Sequence, residues 1–190
     1  MKKHNINGTL NIVTSNKGKF REYQKKLCGN YSEVKMLNIG YPEIQADDLE
    51  KVVNYAVDHL RDHTPLLIDD SGLFIDSLKG FPGVYSSFVM ETIGCEGILR
   101  LMKDKKERKA RFECVIGFLA DKDQQMNVFK GESHGLITKE KKGLKGFGYD
   151  PIFKPKECDR TFAEMDPEEK NKLSHRGRAV EKLIDFLVEN

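Results

Sequence analysis

The chain has 190 residues, 38% of them hydrophobic, which suits one domain or two closely packed lobes around a real core. Its 32 basic and 30 acidic residues leave a net charge of +2, so the composition carries no global polyanion signal. No apolar run approaches a membrane span and Leu10–Val13 is too short for a signal-peptide core, so no membrane partner and a cytoplasmic location are expected.

Leu10-Asn11-Ile12-Val13 reads as a first strand, and Thr14–Lys19 as the polar loop after it. From Lys17 to Leu27, Phe20, Tyr23 and Leu27 fall at helical spacing. Val34 and Met36-Leu37 suggest a short strand, followed by the loop Gly40-Tyr41-Pro42-Glu43. Asp47-Asp48 opens the clearest helix, with Leu49, Val52, Val53, Ala56, Val57 and Leu60 on one face and a stop near His63-Thr64-Pro65. An apolar strand over 66–69 then runs into Asp69 and Asp70 and a Ser71-Gly72 turn. This alternation favours an α/β sheet.

Further on, Gly94–Met102 reads as a weaker helix and Ala110–Leu119 as a nearly continuous apolar strand. Met126–Gly135 and Gly135–Thr138 read as two more strands in antiparallel hairpins. Asp166-Pro167-Glu168-Glu169 is a helix start, with Asp as cap and Pro in the first turn. Val180, Leu183, Ile184 and Leu187 give a last helix its apolar face, with Gly177 as a candidate break and Ser174 as a candidate cap. Cys28, Cys95, Cys114 and Cys158 show no C-x-x-C pair and no zinc-like partner, and read as free thiols in a reducing cytosol.

Several segments carry chemistry. A strand end is a rigid platform, and two adjacent carboxylates there favour a divalent cation beside them. Asp69 and Asp70 therefore read as a candidate metal and water-orienting site, with Glu43 as a second metal-site carboxylate. The loop Thr14-Ser15-Asn16-Lys17-Gly18-Lys19 offers hydroxyls, an amide, two lysines and a helix N-terminus, which suits a polyphosphate. It is not a Walker A loop, and plain helix capping explains Ser15 and Asn16 equally. Gly80–Ser86 is turn chemistry, either a lid or a corner. Gly146-Phe147-Gly148-Tyr149-Asp150 sets aromatics between glycines, which suits a stacked base and equally a glycine-rich loop with core aromatics. Lys170 has the reach for a phosphate and His175-Arg176 the donors for a carbonyl acceptor, but taken alone this cluster reads better as a charged helix surface. The basic clusters Lys103–Arg111 and Lys139–Lys145 read as solvated faces or loops, without the aromatics of a single-strand groove.

Five segments, TSNKGK at 14–19, DDSGLFIDSLKGFPGVYS at 69–86, GFGYDPIF at 146–153, TFAEMDPEEKN at 161–171 and SHRGRA at 174–179, together resemble the inosine triphosphate pyrophosphatase family. These are house-cleaning hydrolases of non-standard purine nucleoside triphosphates. The resemblance implies an α/β fold with a long mixed β-sheet, flanking helices and two lobes around a central cleft, residues 1–190 forming one domain. It implies a homodimer without a stable nucleic-acid partner. It implies Mg2+ as cofactor, Asp70 as catalytic base and metal ligand, Glu43 as second metal carboxylate, and Asp69 as a supporting acid. Thr14, Asn16, Lys17 and Lys19 would line the triphosphate cradle, and Ser71 would contact substrate. Phe147, Gly148, Tyr149 and Asp150 would hold the base, with Lys170, His175 and Arg176 completing its pocket. Two departures stand out. Ser15 replaces the usual glycine of the first loop, which would be strained if positive φ were needed there. Ser87-Phe88 follows PGVYS where a basic residue is common, so that loop is not counted on for phosphate contacts. Other readings of the same residues are a pyrophosphatase of modified pyrimidine nucleotides and a non-catalytic nucleotide- or RNA-binding protein. A serine hydrolase on Ser71 is disfavoured, since G-x-S-x-G is absent.

Overall fold

The computed structural model describes residues 6–42 and 44–189, with Asn7 by its backbone alone. In chain order its main elements are β1 (Ile6–Val13), α1 (Lys17–Leu27), β2 (Tyr31–Leu37), α2 (Leu49–His59), β3 (Leu66–Ile75), β4 (Pro82–Gly83) and α3 (Ser86–Thr92). They continue with α4 (Gly94–Leu101), β5 (Lys109–Leu119), β6 (Asn127–Ile137), β7 (Phe153–Pro155), α5 (Pro167–Leu173) and α6 (His175–Glu189). The strands form one mixed sheet in the order β2-β1-β3-β5-β6-β7, with β4 paired to β3. β1 runs parallel to β2 and β3, while β3–β4 and β6–β7 are antiparallel. Among the described residues no helix is long and apolar enough to cross a membrane.

The chain divides into two compact units. The first comprises residues 1–70, 115–130 and 179–190. Its strands β1 and β3 pair in register, Asn11 opposite Leu66 and Val13 opposite Ile68. Parallel strands covered on both faces read as apolar runs, and Leu66, Leu67 and Ile68 are all buried. Asp48 caps α2 by accepting from Lys51 N at 2.9 Å, so the helix begins where the sequence predicts. The helix buries Leu49, Val53, Ala56 and Val57. A Cβ on Gly117 of β5 would come within 2.6 Å of Val53 and 2.9 Å of Val57, so the glycine is what lets helix and strand close up.

The second unit comprises residues 71–114 and 131–178. Its core gathers Leu73, Ile75, Ile98, Met102, Phe112, Ile152, Phe153 and Phe162. Phe112 meets Phe153 edge-on at 4.7 Å between ring centroids.

Three local expectations are corrected. Ser71-Gly72 is not a turn: β3 runs straight through it to Ile75, because β4 continues the pairing at Leu73 and Phe74. Gly72 is needed for that approach, since a Cβ there would sit 2.5 Å from the Gly83 carbonyl oxygen. Gly135 does not divide two strands; β6 is unbroken over Asn127–Ile137, and a Cβ at Gly135 would collide with the Lys154 carbonyl oxygen of β7. Gly177 does not break the last helix. The break is at Ser174, whose Oγ accepts from Gly177 N at 3.0 Å, while a Cβ at 177 would strike the Asn171 carbonyl oxygen.

Candidate active site

The first group of candidate residues lies in the first unit, where β1 gives way to α1. Asn16 is the N-cap, and its Oδ1 accepts from Gly18 N at 2.8 Å and Lys19 N at 3.1 Å. The Thr14 hydroxyl accepts from Asn16 N at 3.1 Å, which fixes the cap in turn. Two helix N-terminal amides are thus occupied by the cap, whereas the Ser15 and Lys17 amides have no hydrogen-bond partner among the described residues. Ser15 stands at negative φ, so the loop takes a serine without strain. Ser15, Asn16 and Lys17 are exposed and Thr14, Gly18 and Lys19 half-buried.

At the end of the unit's share of β3, alternation turns Asp69 and Asp70 to opposite faces. Asp69 is buried, and Lys19 Nζ stands 3.1 Å from its Oδ2 and 3.4 Å from its backbone oxygen. A buried carboxylate needs such a cation. Lys19 therefore links the polar loop to the acidic strand end. Asp70 is half-buried. Glu43 lies outside the described residues.

The second group lies in the second unit. Ser71 follows Asp70 directly in β3, and its Oγ accepts from Arg176 at 3.2 Å. Arg176 and His175 open α6 and are both buried. The His175 ring stacks on Phe112, centroids 4.6 Å apart and planes 11° from parallel. The loop 146–150 is held by its own acid: Asp150 Oδ2 accepts from Phe147 N at 2.8 Å and from Lys170 Nζ at 2.7 Å. The Lys170 and Asp150 side chains are only 6% and 4% exposed, so this is a buried ion pair. Phe147 is half-buried, with Lys170 Nζ 4.4 Å and the Arg176 guanidinium 5.7 Å from its ring centre. Gly148, at φ 62, is exposed. Tyr149 is buried, and its hydroxyl donates to the Ser86 carbonyl at 2.9 Å. Burial pushes its phenol pKa well up, so it stays a neutral donor.

Ser86 is the residue that motif reading passed over. Its Oγ accepts from Leu73 N at 2.8 Å and donates to the Gly83 carbonyl at 2.6 Å, and its carbonyl receives Tyr149. One buried serine thus ties β3, the Gly80–Gly83 corner and the aromatic loop together. The only sequence signal was its place at the end of a turn-rich segment. Cys95 supports the same loop by donating to the Gly148 carbonyl at 3.5 Å, and nothing in the sequence marked it for that. Phe112, beneath His175, carried no signal beyond strand membership.

Chemically, the first group offers cations, hydroxyls and amides to oxyanions beside two carboxylates. The second offers an aromatic face flanked by buried cations and hydrogen-bond donors. Among the described residues no group of three or more His, Cys, Asp or Glu stands together as a ready-made metal cage.

An anhydride-handling α/β protein is the class these features define. Residues 10–186 match the model of the Ham1 family, and the chain belongs to that family. It is 49% identical to a dITP/XTP pyrophosphatase of Thermococcus kodakarensis, over 95% of this chain and 98% of that protein. With the dITP/XTP pyrophosphatase of Pyrococcus horikoshii it shares 51% identity over 94% and 96% of the two chains. A HAM1 protein structure from Coxiella burnetii superposes with a TM-score of 0.84 at 32% identity, covering 96% of this chain and 99% of that one.

Proposed function

We propose that the chain is a pyrophosphatase of non-standard purine nucleoside triphosphates (dITP, ITP and XTP), yielding the monophosphate and pyrophosphate. The observation that carries this reading is the Lys19–Asp69 link, which joins the polar Thr14–Lys19 loop to the acidic end of the strand, in a chain about half identical to dITP/XTP pyrophosphatases. Residues 1–190 act as one catalytic domain. The continuous family match and the passage of β3 from one unit to the other between Asp70 and Ser71 support that.

In the reaction, NTP + H2O → NMP + PPi, Asp70 takes a proton from water whose oxygen attacks the α-phosphorus. The bond to the bridging oxygen breaks, and pyrophosphate leaves. Positioning and charge stabilisation supply most of such a barrier. Asp70 and Glu43 would hold Mg2+, which neutralises polyphosphate charge when bound. Asp69 keeps Lys19 oriented, and Lys19, Lys17 and the Ser15 and Lys17 amides receive phosphate oxygens along with the Thr14 hydroxyl. Asn16 acts chiefly by holding the loop. Phe147 stacks on the base. His175 and Arg176 donate to its 6-keto oxygen, and an adenine amino group would leave those buried donors facing a donor. Mismatches of that kind discriminate by about 10⁴ or more. Ser71 acts through Arg176, and Lys170, Asp150, Gly148 and Tyr149 shape the loop that presents Phe147.

The enzyme works as a homodimer in the cytoplasm. Exposed Tyr85, Phe88 and Ile93 support an apolar contact with a second copy, and four free thiols suit a reducing compartment. The test is turnover of XTP and dITP by the wild type and by Asp70→Asn, with and without Mg2+. A general base contributes about 10²–10⁴-fold, so the variant should lose at least that much while still binding nucleotide. Wild-type chain inert toward both nucleotides would end the reading, and a fully active variant would end the role of Asp70.

A further inference from the structure

Residues of the two basic clusters that read from sequence as solvated faces or loops, Lys103–Arg111 and Lys139–Lys145, line with Arg100 of α4 a cavity of about 840 Å³ within the second unit. It shares no residue with the site described above. Seven basic and three acidic residues line it, a formal charge of +4 where the whole chain carries only +2. One of the acids, Glu96, is already matched by Lys141 at 2.8 Å. The side chains of Lys103, Lys105, Lys106 and Lys139 are exposed and make no ion pair among the described residues.

The two walls are tied by Arg108. Its guanidinium donates to the carbonyls of Met102 at 2.8 Å, Ile137 at 2.6 Å and Thr138 at 2.6 Å. Burial lowers its pKa from the usual arginine value, in keeping with its place behind the lysines rather than in solvent. Asp104 holds the left-handed conformation, φ 63, where the chain turns between Lys103 and Lys105. The lysines thus converge from two chain segments that the fold fixes together, unlike a charged stretch fraying along one helix.

We propose that this cavity is a second anion site, which takes a short inorganic polyphosphate of pyrophosphate or triphosphate size through its phosphoryl oxygens alone. The volume falls in the range of small-ligand sites, and the cavity is open to solvent on one side. Ammonium groups are point donors suited to phosphate, and several on opposing walls favour a ligand with several charges over a single anion. The lining holds no aromatic ring and no hydroxyl or amide side chain, only Leu99 and Met102 besides the charges. It therefore offers no ring on which to stack a base, and its excess of ammonium and guanidinium groups favours binding through phosphoryl oxygens. The inference concerns binding and is independent of the proposed hydrolysis.

The test is a ¹H–¹⁵N titration of the full chain with sodium tripolyphosphate, without divalent metal and at constant ionic strength. Saturable shifts are expected at amides of 100–108 and 139–141, separate from any at 14–19. In Lys103→Gln/Lys105→Gln/Lys106→Gln those shifts should weaken by about tenfold or more, the scale of several lost charge-assisted contacts. The response at 14–19 and the remaining spectrum should be unchanged. Shifts confined to 14–19, or undiminished in the triple variant, would overturn the proposal. So would a short single-stranded RNA that engages the same lysines more tightly than tripolyphosphate, since that would make the face a nucleic-acid surface.

Discussion

Replacing Lys170 by Met removes an ammonium 2.7 Å from the Asp150 carboxylate, where both side chains are almost wholly buried. Water cannot take over the lost interaction at that depth. Breaking one side of a buried ion pair costs about 3–5 kcal/mol, because the remaining charge keeps its desolvation penalty. At about 2–4 °C per kcal/mol for a chain of this size, Lys170→Met should melt about 6–20 °C below the wild type. The double variant Asp150→Asn/Lys170→Met removes both charges and keeps an oxygen that can accept from Phe147 N, which now donates to Asp150 at 2.8 Å. It should recover most of that loss. Circular dichroism melts of the wild type, both single variants and the double variant close a mutant cycle. A Lys170→Met loss under about 1 kcal/mol, or a double variant equal to the sum of the singles, would refute the reasoning that each of these two charges depends on the other.

Ser86→Ala removes the acceptor of Leu73 N and the donor to Gly83, at about 1–3 kcal/mol for each buried group left without a partner. Urea unfolding should show that loss, and Ser86→Thr should restore part of it. Gly177→Ala should destabilise strongly, although alanine is the better helix former, because its Cβ meets the Asn171 carbonyl; a melting temperature at or above wild type would contradict the close α5–α6 junction. Asp48 holds its carboxyl below the ordinary 3.8, chiefly through the Lys51 amide it accepts from. A depressed folded pKa makes its capping contribution fully present above that ordinary value and lost as pH falls through the folded pKa. In Asp48→Asn that part of the acid dependence should vanish, as difference titrations of stability below about pH 4 would read.

The fold was legible where one local rule governs one element. Helical spacing and an aspartate cap placed α2, and Asp166-Pro167 placed α5, because capping is a property of a few consecutive residues. It was not legible where a distant segment decides. Ser71-Gly72 looks like a turn in isolation, and only the approach of Gly83 makes it a strand. Gly135 looks like a hairpin corner until β7 passes over it. α3 escaped notice because seven residues carry too little periodicity to stand out.

The candidate site divided in the same way. Residue types adjacent in sequence, Thr14–Lys19 and Asp69-Asp70, marked the candidate site. Their division of labour was less legible. The capping alternative read for Asn16 is what the helix start shows, whereas nothing in the sequence says that Lys19 serves Asp69 or that Lys170 serves Asp150. Pairings across 20 to 50 residues belong to the fold. The Tyr149 hydroxyl likewise reaches the Ser86 carbonyl, a tie between distant segments that no local pattern shows.

Product analysis by phosphorus NMR tests the central claim most directly, with XTP and dITP as substrates and ATP and GTP as controls, in the presence of Mg2+. The account predicts monophosphate and pyrophosphate from XTP and dITP and little of either from ATP. Diphosphate and orthophosphate would place cleavage at the wrong bond and contradict the roles given to Asp70 and the phosphate loop.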